Sequence, residues 1–392
     1  MLHNDIQTRI AEATRAAEPR MVEIRRDLHA HPELGFDLER TAGVVAAELK
    51  RLGIAHRTGV GRMGVVATIE GGRPGPALVI RADMDALPIH ELTGLPFASQ
   101  VPGRMHACGH DIHTSTLLGV ASVLRDLAPA LAGSVRLVFQ PAEEVAGGAA
   151  EMIADGVLDG VSAAIGFHNY PQMPVGALGF CRGGCMAAVD VFDIEVVGHG
   201  GHAAHAYDAV DPIVAAAALI GQLQTIVSRE IRPTRACVVT VAAIHAGSAH
   251  NIIPGSCTLR GTVRALEEAV RAQAEAALRR ICAGIAASMR VRVDVTYAQD
   301  IPAMVNDDRM LDRMVAAAAA QLGAALIEGE PSLGGEDFAL FANRVPSCHL
   351  RVGAGQPGRS DRLHNADYQP DEACLAVGAQ ALCRAAVEML GG

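Results

Sequence analysis

Short β-branched segments alternate with helix-like segments through the first half of the chain, and this alternation restricts the possible fold most strongly. GVVATIE, PALVIRAD, SVRLVFQ and VSAAIGFH have strand-like composition. TSTLLGVASVLRDLA, between the second and third of them, carries apolar residues at helical spacing. Strands that alternate with helices form a largely parallel sheet covered on both faces. The sequence therefore predicts an α/β fold.

Two helices are predicted before the first strand. The segments DIQTRIAEATRAAEPRMVEIRRDLHA and DLERTAGVVAAELKRLG both have apolar residues at helical spacing. We expect the second helix to end at Gly53, because glycine commonly follows the last helical turn.

The pattern changes near Val189, where a second domain is predicted. Four strand-like segments and two long helix-like segments follow in the order βαββαβ, beginning with VDVFDIEVVG. A chain of 392 residues also exceeds the usual size of one hydrophobic core. We therefore predict a large domain formed by residues 1–182 and 299–392, into which a smaller α+β domain at 183–298 is inserted.

Composition and charge exclude several classes of partner. The formal charge is −10, aromatic residues make up 3% and tryptophan is absent, so neither a nucleic acid nor an anionic membrane is expected as a partner. The N-terminal segment lacks the apolar centre of a signal peptide, and the nine cysteines are scattered. We expect reduced thiols and a cytoplasmic protein.

Polar residues with metal-binding or acid–base chemistry follow several of the predicted strands. Because the carboxyl ends of parallel strands meet at one edge of a sheet, these residues are expected to converge there. Two further residues precede a predicted helix start at the same edge. The six residues are Asp83, Glu143, Glu144, His168, Cys108 and His110.

The segment HACGHDIH contributes three histidines, a cysteine and an aspartate within eight positions. A thiolate, imidazoles and carboxylates together suit zinc, manganese, cobalt or nickel. Two adjacent glutamates can divide two roles, since one can bind metal while the other moves protons. The simpler alternatives are a helix start with incidental histidines, and a solvated helix start for Glu143 and Glu144.

Ten motifs occur in order from about residue 25 to residue 365. They are LHAHPELGF, IRADMDALPI, GRMHACGHDIHT, QPAEE, GFHN, GGHAA, NIIP, GTVR, GGEDFA and LHN. With them the chain resembles the hippurate hydrolase and N-acyl-amino-acid amidohydrolase family, part of a larger group of two-metal peptidases that includes the auxin-conjugate hydrolases of plants. The resemblance implies a mostly parallel-sheet catalytic domain, an inserted lid and dimerisation domain, and a homodimer or higher oligomer.

The resemblance also implies a metal site with two divalent ions, which can be manganese, zinc, cobalt or nickel. Glu143 takes the place of the general base. Asp83 matches an acid that supports a metal-binding histidine, although Arg81 stands where other branches have a metal-binding histidine. The implied ligands, with Cys108 bridging the two ions, are Cys108, His110, Glu144, His168 and His364.

Substrate contacts are implied in the inserted domain. His202 would polarise the scissile carbonyl, while Asn251 and Arg264 would contact the carbonyl and the carboxylate of the substrate. Taken alone, His202 is better interpreted as a surface histidine and Arg264 as a salt-bridge residue. The family commonly has proline and histidine where this chain has Ala206 and Tyr207.

The expected activity is metal-dependent cleavage of the amide bond in a small-molecule N-acyl amino acid, hippurate-like or N-acetylated. The products would be a carboxylic acid and a free amino acid. A dipeptidase or carboxypeptidase on the same fold is one alternative, and a non-catalytic metal-dependent binding protein is another. Turnover of hippurate, acetylated amino acids and dipeptides separates these alternatives, and the presence of Glu143 argues against the binding protein.

Four more histidines receive structural interpretations. His29 and His31 are predicted to stabilise the fold. His106 and His113 are predicted to support the ligands from behind or to lie on a helix surface.

Overall fold

The predicted alternation of strands and helices is present in the computed structural model. The structure describes residues 2–323 and 325–391, and the side chains of all of these except 2–5 and 319–322. The chain divides into two compact units. The first unit comprises Met1–Gly183, Val305–Glu330 and Leu340–Gly392, and the second comprises Gly184–Met304 and Pro331–Ala339.

Helices occur in both units. In chain order they are α1 (Leu2–Ala30), α2 (Glu39–Arg51), α3 (His110–Leu127), α4 (Gly148–Ala154), α5 (Pro212–Thr225), α6 (Glu268–Met289), α7 (Asp308–Leu322), α8 (Ala339–Ala342) and α9 (Cys374–Leu390). Ala128–Ala130 and Ala203–Asp208 form 3₁₀ segments, and Ile226–Glu230 forms a π-helical segment.

Strands account for most of the remaining regular structure. In chain order they are β1 (His56–Val60), β2 (Gly64–Glu70), β3 (Arg73–Asp83), β4 (Ala132–Gln140), β5 (Val161–Pro174), β6 (Leu178–Phe180), β7 (Gly184–Met186), β8 (Ala188–Val197), β9 (Gly201–His202), β10 (Cys237–Ala246), β11 (Ile252–Ile253), β12 (Ser256–Ala265), β13 (Arg292–Ile301), β14 (Met304–Val305), β15 (Leu326–Glu328) and β16 (Ser347–Gly355).

The first unit is built on an eight-stranded sheet with strand order β1-β2-β4-β3-β5-β16-β6-β15. Its four central strands, β4, β3, β5 and β16, are parallel to one another. β1 and β2 are antiparallel at one edge, and β6 is antiparallel to β16. The prediction of a mostly parallel α/β sheet is therefore confirmed.

Helices on the faces of this sheet bury its central strands. The last six residues of β3 and the first eight of β16 are all buried, as expected where helices cover both faces of a parallel sheet. The second helix stops as predicted, because Gly53 has the left-handed φ of +71° that follows many helix ends. Representative buried side chains of this core are Leu28, Leu49, Leu117, Leu137, Ile165 and Leu382.

Glu48 forms a nearly buried ion-pair cluster at the packing of α1 and α2. Its side chain is 4% exposed and pairs with Arg51 Nη2 at 2.6 Å and Arg20 Nη2 at 3.0 Å. Burial raises the pKa of Glu48, but the hydrogen bonds and charges of the two arginines outweigh it and hold the pKa below its usual 4.5. Glu48 is therefore ionised at neutral pH.

The second unit is a four-stranded antiparallel sheet with order β10-β12-β8-β13, packed against α5 and α6. Its elements follow the predicted order βαββαβ. β13 runs to Ile301, beyond the predicted boundary at residue 298. Buried side chains of this separate core include Phe192, Leu219, Leu223, Leu259 and Leu278.

Asp190 is the buried polar centre of the second unit. One carboxylate oxygen accepts hydrogen bonds from Arg271 Nε at 2.9 Å and Nη2 at 2.6 Å, and the other accepts from the Tyr297 hydroxyl at 2.7 Å. The Asp190 side chain has no exposed surface and that of Arg271 is 6% exposed. This pair of charges is therefore held by hydrogen bonds inside the protein.

The segment Pro212–Glu230 is long and apolar enough to cross a membrane by length and composition alone, with a mean hydropathy of 1.2. Ala215, Leu219 and Leu223 on α5 are fully buried in the second core. Ile213 and Val214 are 41% and 54% exposed. One face of α5 therefore packs into the core of the second unit, and apolar side chains elsewhere on the helix are exposed.

Candidate metal centre

The candidate site lies where strands of the large sheet end. Asp83 is the last residue of β3 and pairs with Gln140, the last residue of β4. Glu143 and Glu144 follow β4, and α3 begins at His110. The expected convergence at the carboxyl edge of the sheet is therefore observed for these residues.

The strand that carries His168 is longer than predicted. VSAAIGFH was expected to end near His168, but β5 continues through Pro174 because its pairing with β16 continues as far as Gly355. His168 therefore projects from within a strand and is held by the sheet.

The five implied ligands form two groups of three that share Cys108. In each group the ligand atoms lie within 4.8 Å of one another. Cys108 Sγ is 3.3 Å from His168 Nε2, and Glu144 Oε1 is 3.5 Å from His364 Nε2. The groups are Cys108, His110 and His168, and Cys108, Glu144 and His364.

Backbone conformation brings the Cys108 segment and the His364 segment together. Gly109 has a φ of +86°, and a Cβ at this position would lie 2.2 Å from Asn169 Oδ1. Only glycine therefore fits between Cys108 and α3. His364 also has a left-handed φ of +62°, and its backbone N–H donates to the Ala107 carbonyl at 2.9 Å. This hydrogen bond joins two distant segments of the first unit beside the ligands.

Several buried ligand atoms form no hydrogen bond among the described residues. They include both ring nitrogens of His110 and Oε1 of Glu144. Leaving buried polar atoms unpaired is costly, so such atoms indicate a missing partner. Sulfur, imidazole nitrogen and carboxylate oxygen are ligands that zinc, manganese, cobalt and nickel accept. The residues present therefore fit divalent metal ions.

Burial shifts the pKa values of two of the implied ligands. Burial, followed by the charge of Glu144, raises the pKa of the Cys108 thiol well above its usual value. Burial, followed by the charge of His113, holds the pKa of His168 well below its usual value. The thiol is thus protonated and the His168 imidazole neutral at neutral pH, so a cation that binds here displaces the thiol proton.

Asp83 belongs to a buried network behind the ligands. Its carboxylate pairs with Arg81 and His113, and one oxygen lies 3.7 Å from His110 Nε2. Burial raises its pKa, but the charges of His110, Arg81 and His113 outweigh that effect and hold the pKa well below its usual value. The Asn169 backbone N–H donates to His113 Nε2 at 2.9 Å, so the His113 proton lies on Nδ1, facing Asp83.

The histidines outside the implied ligand set divide between support and packing. His29 is fully buried and bonds to Asp111 at 2.8 Å and Glu91 at 3.2 Å, which agrees with a fold-stabilising role. His106 and His113 are 1% and 0% exposed, so the alternative of a helix surface is wrong for both. Each faces the interior because α3 and the segment before it are packed on both sides.

One residue beside the glutamates was not selected from the sequence. Asp85 is 1% exposed and accepts hydrogen bonds from the backbone N–H groups of Glu143 and Glu144. The motif RADMD offered a signal, because two aspartates separated by one residue at a strand end can point toward the same edge. Sequence alone could not reveal that the partner is backbone.

His202 and Asn251, implied to contact substrate, are neighbours in the second unit. β9 pairs with β11 in antiparallel fashion, and the Ala203 N–H donates to the Asn251 carbonyl at 3.1 Å. His202 is exposed, and its Nδ1 accepts from the Ala204 N–H at 3.1 Å. Its other ring nitrogen is therefore the one available to a ligand.

Arg264 lies on β12, half-buried and facing Gly335. A Cβ at position 335 would lie 3.5 Å from its Nη1. Burial lowers the pKa of Arg264, against the charges of Asp190 and Asp300. Among the residues that the structure describes, its guanidinium forms no hydrogen bond or ion pair. The salt-bridge interpretation of Arg264 is therefore not supported, and the guanidinium can receive an anionic group.

Known proteins resemble this chain over almost its whole length. The sequence model of the family described as "Peptidase family M20/M25/M40" matches residues 79–388. An N-acetylcysteine deacetylase of Bacillus subtilis is 40% identical over 380 residues, covering 96% of this chain and 99% of the relative. Thermostable carboxypeptidase 1 of Saccharolobus solfataricus is 36% identical over 390 residues, covering 98% of this chain and 99% of that protein.

A solved structure shows the same fold. It belongs to a Bacillus subtilis protein described as a dinuclear metal binding peptidase from the M20 family. The TM-score is 0.86 at 38% identity, with 96% of this chain and 99% of that chain covered.

Proposed function

The chain belongs to the peptidase family M20/M25/M40 and is a hydrolase of amide bonds. On that premise, we propose that it cleaves N-acyl amino acids, either hippurate-like or N-acetylated, into a carboxylic acid and a free amino acid. We further propose that two divalent ions serve this reaction, with manganese, zinc, cobalt and nickel as candidates.

The observation that carries the proposal is the sharing of Cys108 by two groups of potential ligands. One sulfur common to two sets of donors is the arrangement expected when a thiolate bridges two cations. Glu144 Oε1 and the His110 ring nitrogens form no hydrogen bond among the described residues, and this supplies a second argument, since an ion would satisfy Glu144 Oε1 and one nitrogen of His110. The solved relative described as dinuclear supports the same number of ions.

In the proposed reaction, Glu143 moves the proton. The chemistry that divalent ions supply in such a site is a lowered pKa of water, to about 7, and stabilisation of negative charge. Glu143 lies with His110 and Glu144 in one group whose ligand atoms are within 4.8 Å. From there its carboxylate takes the proton of the attacking water and returns it to the leaving nitrogen.

Three residues of the second unit are proposed to bind substrate. His202 would donate to the scissile carbonyl oxygen, and Asn251, its neighbour across β9 and β11, would hold the same region of the substrate. Arg264 would bind the carboxylate of the amino acid product, because its guanidinium is half-buried and lacks an internal partner among the described residues.

The chemical nature of the substrate's acyl group distinguishes the proposed activity from that of a peptidase. The deacetylase relative favours an N-acetyl or similar acyl group, whereas the carboxypeptidase relative favours a peptide. Parallel kinetics on hippurate, N-acetyl amino acids and dipeptides decide between them, and higher kcat/KM on dipeptides would refute the proposed acyl specificity.

The central experiment replaces Glu143 by glutamine in the metal-loaded protein. Glu143→Gln should retain both ions and lose about 10²- to 10⁴-fold in kcat, because the base is lost while the ligands stay. Glu151→Gln, on an exposed glutamate of α4, is the matched control and should keep wild-type activity. Full turnover by Glu143→Gln would refute its role as the base.

A homodimer is proposed from the surface of the second unit. β10 is an edge strand, and it exposes Val238 by 37% and Ile244 by 48%. Unpaired strand edges with apolar side chains invite pairing with a second copy. The double substitution Val238→Lys and Ile244→Lys should shift the mass measured by analytical ultracentrifugation to that of one chain, and a monomeric wild type would refute the proposal.

The proposed location is the cytoplasm. All nine cysteines are buried, and none of them forms a disulfide within the chain. Reduced thiols are typical of reducing compartments. Cell fractionation with the untagged protein tests this location directly.

A further inference from the structure

Arg351 on β16 is a buried cation that bonds to no carboxylate among the described residues. The residue is 7% exposed. Its Nη1 donates to the Glu330 carbonyl at 2.9 Å, whereas its Nη2 is buried without a hydrogen-bond partner. Arginine keeps its positive charge in proteins, and a buried charge without a counterion is costly. The unused donor therefore indicates that a negatively charged partner is missing.

Arg351 lies beside an implied metal ligand. In the parallel pairing of β16 with β5, Arg351 is the partner of His168, and Gly353 is the partner of Tyr170. Side chains of paired residues in neighbouring strands project from the same face of a sheet. The Arg351 Cζ lies 5.0 Å from the centre of the Tyr170 ring, two positions beyond His168. The Arg351 side chain therefore extends toward the carboxyl edge, where the candidate ligands lie.

An aromatic ring and backbone groups hold the guanidinium in place. The ring of Tyr170 attracts it, and the Glu330 carbonyl accepts from its Nη1. Gly329 has no side chain to displace it, because a Cβ at this position would lie 2.7 Å from Nη1. Tyr170 is half-buried and Glu330 is exposed, so solvent reaches this corner of the sheet. A small anion that enters from solvent would find a fixed cation with one unused donor.

We propose that Arg351 determines specificity by binding a carboxylate at the far end of the substrate's acyl group. The preferred substrates are then amino acids acylated by a dicarboxylic acid, such as succinyl amino acids, and hydrolysis of the amide releases the dicarboxylic acid. This inference rests on the proposed function, in which His168 binds metal and Arg264 binds the carboxylate of the amino acid. A second cation beside His168 indicates a second carboxylate, and the planar guanidinium matches that group.

The test compares N-succinylglycine with N-butyrylglycine, whose acyl chain has the same length and no terminal carboxylate. In the metal-loaded wild type, kcat/KM should be roughly 10- to 100-fold higher for the succinyl substrate. Arg351→Gln should bring this ratio close to one. Arg351→Lys should restore part of it, because lysine keeps the charge but lacks the fork of donors.

Two arginine variants serve as controls. Arg182 also lies beside an aromatic ring, with its Cζ 5.8 Å from the centre of Phe180, but its Nη2 already bonds to Asp312. Arg384 on α9 is 3% exposed, and its Nε and Nη1 lack partners among the described residues. Arg182→Gln and Arg384→Gln should both keep the wild-type ratio. An equal loss of the ratio in Arg384→Gln would mean that removing any buried cation suffices, and it would overturn the role of Arg351.

Binding of the acid products gives a measurement that needs no turnover. Calorimetric titration of the metal-loaded protein should show that succinate binds about 10-fold or more tightly than butyrate, and that Arg351→Gln abolishes the difference. Succinate binding of unchanged strength in Arg351→Gln would refute the proposal. If that variant does not fold, a wild type that prefers N-butyrylglycine or N-acetylglutamate to N-succinylglycine refutes it as well. A wild type that binds succinate through Arg351 but cleaves no N-acyl amino acid would contradict the proposed function and leave the anion site standing.

Discussion

Cys108 belongs to both groups of ligands, whereas His364 belongs to one, and this difference predicts two distinct patterns of metal loss. Cys108→Ser removes one donor from each group and nearly preserves side-chain volume. His364→Ala removes one donor from the second group and leaves the first complete. The two variants should therefore differ in how many ions bind with reduced affinity, and not only in their overall metal affinity.

The magnitude follows from the energy of a single ligand. About 10–16 kcal/mol for a four-ligand zinc site corresponds to roughly 3–4 kcal/mol per ligand, or about 10²- to 10³-fold in affinity. Titration with Zn²⁺ against a competing chelator should show that both ions of each chain bind with lower affinity in Cys108→Ser. In His364→Ala, one ion should bind with lower affinity and the other with wild-type affinity. A bridging thiolate would be refuted if only one ion lost affinity in Cys108→Ser, or if both ions lost affinity in His364→Ala.

Three further predictions concern the substrate carboxylate and the two cores. Arg264→Gln should lower kcat/KM roughly 10- to 100-fold for substrates with a free carboxylate and leave their C-terminal amides unaffected; equal losses would contradict carboxylate binding. Asp190→Ala leaves its buried arginine partner unpaired and should cost about 3–5 kcal/mol in urea unfolding, whereas a loss under 1 kcal/mol would contradict the buried pair. The lowered pKa of Glu48 means that its charge stabilises the fold above pH 4.5 and that this stability is lost as pH falls through the lowered value. Glu48→Gln should therefore flatten the acid branch of the free energy of unfolding, and an unchanged slope would argue against the cluster.

Helices α1, α2 and α3, the strands β2 to β5 and the βαββαβ elements of the second unit could be predicted because their signals are local, whereas the central strand β16 was not predicted. β-branched runs and helical spacing depend on neighbouring residues, as does the glycine after α2. The end of β5 could not be predicted, since NYPQMP carries two prolines and weak strand composition. It remains a strand because pairing with β16, far along the chain, continues to Gly355.

The candidate ligands could be selected because sulfur, imidazole and carboxylate chemistry is visible in the residue names. Their grouping around Cys108 followed from a family resemblance, because spacing does not show which distant segments meet. Asp85 was missed for a different reason. It acts on peptide N–H groups, which every residue carries, so no side chain in the sequence marks its partners.

The distribution of the ligands along the chain has a consequence during synthesis. Translation completes the group of Cys108, His110 and His168 before any residue of the second unit exists, because His168 precedes Gly184. The other group lacks His364 until the whole second unit has been synthesised, because His364 follows Ala339. Since domains tend to fold as they emerge, a nascent polypeptide offers a place for one cation before the second unit exists and for its companion only after that unit has been made.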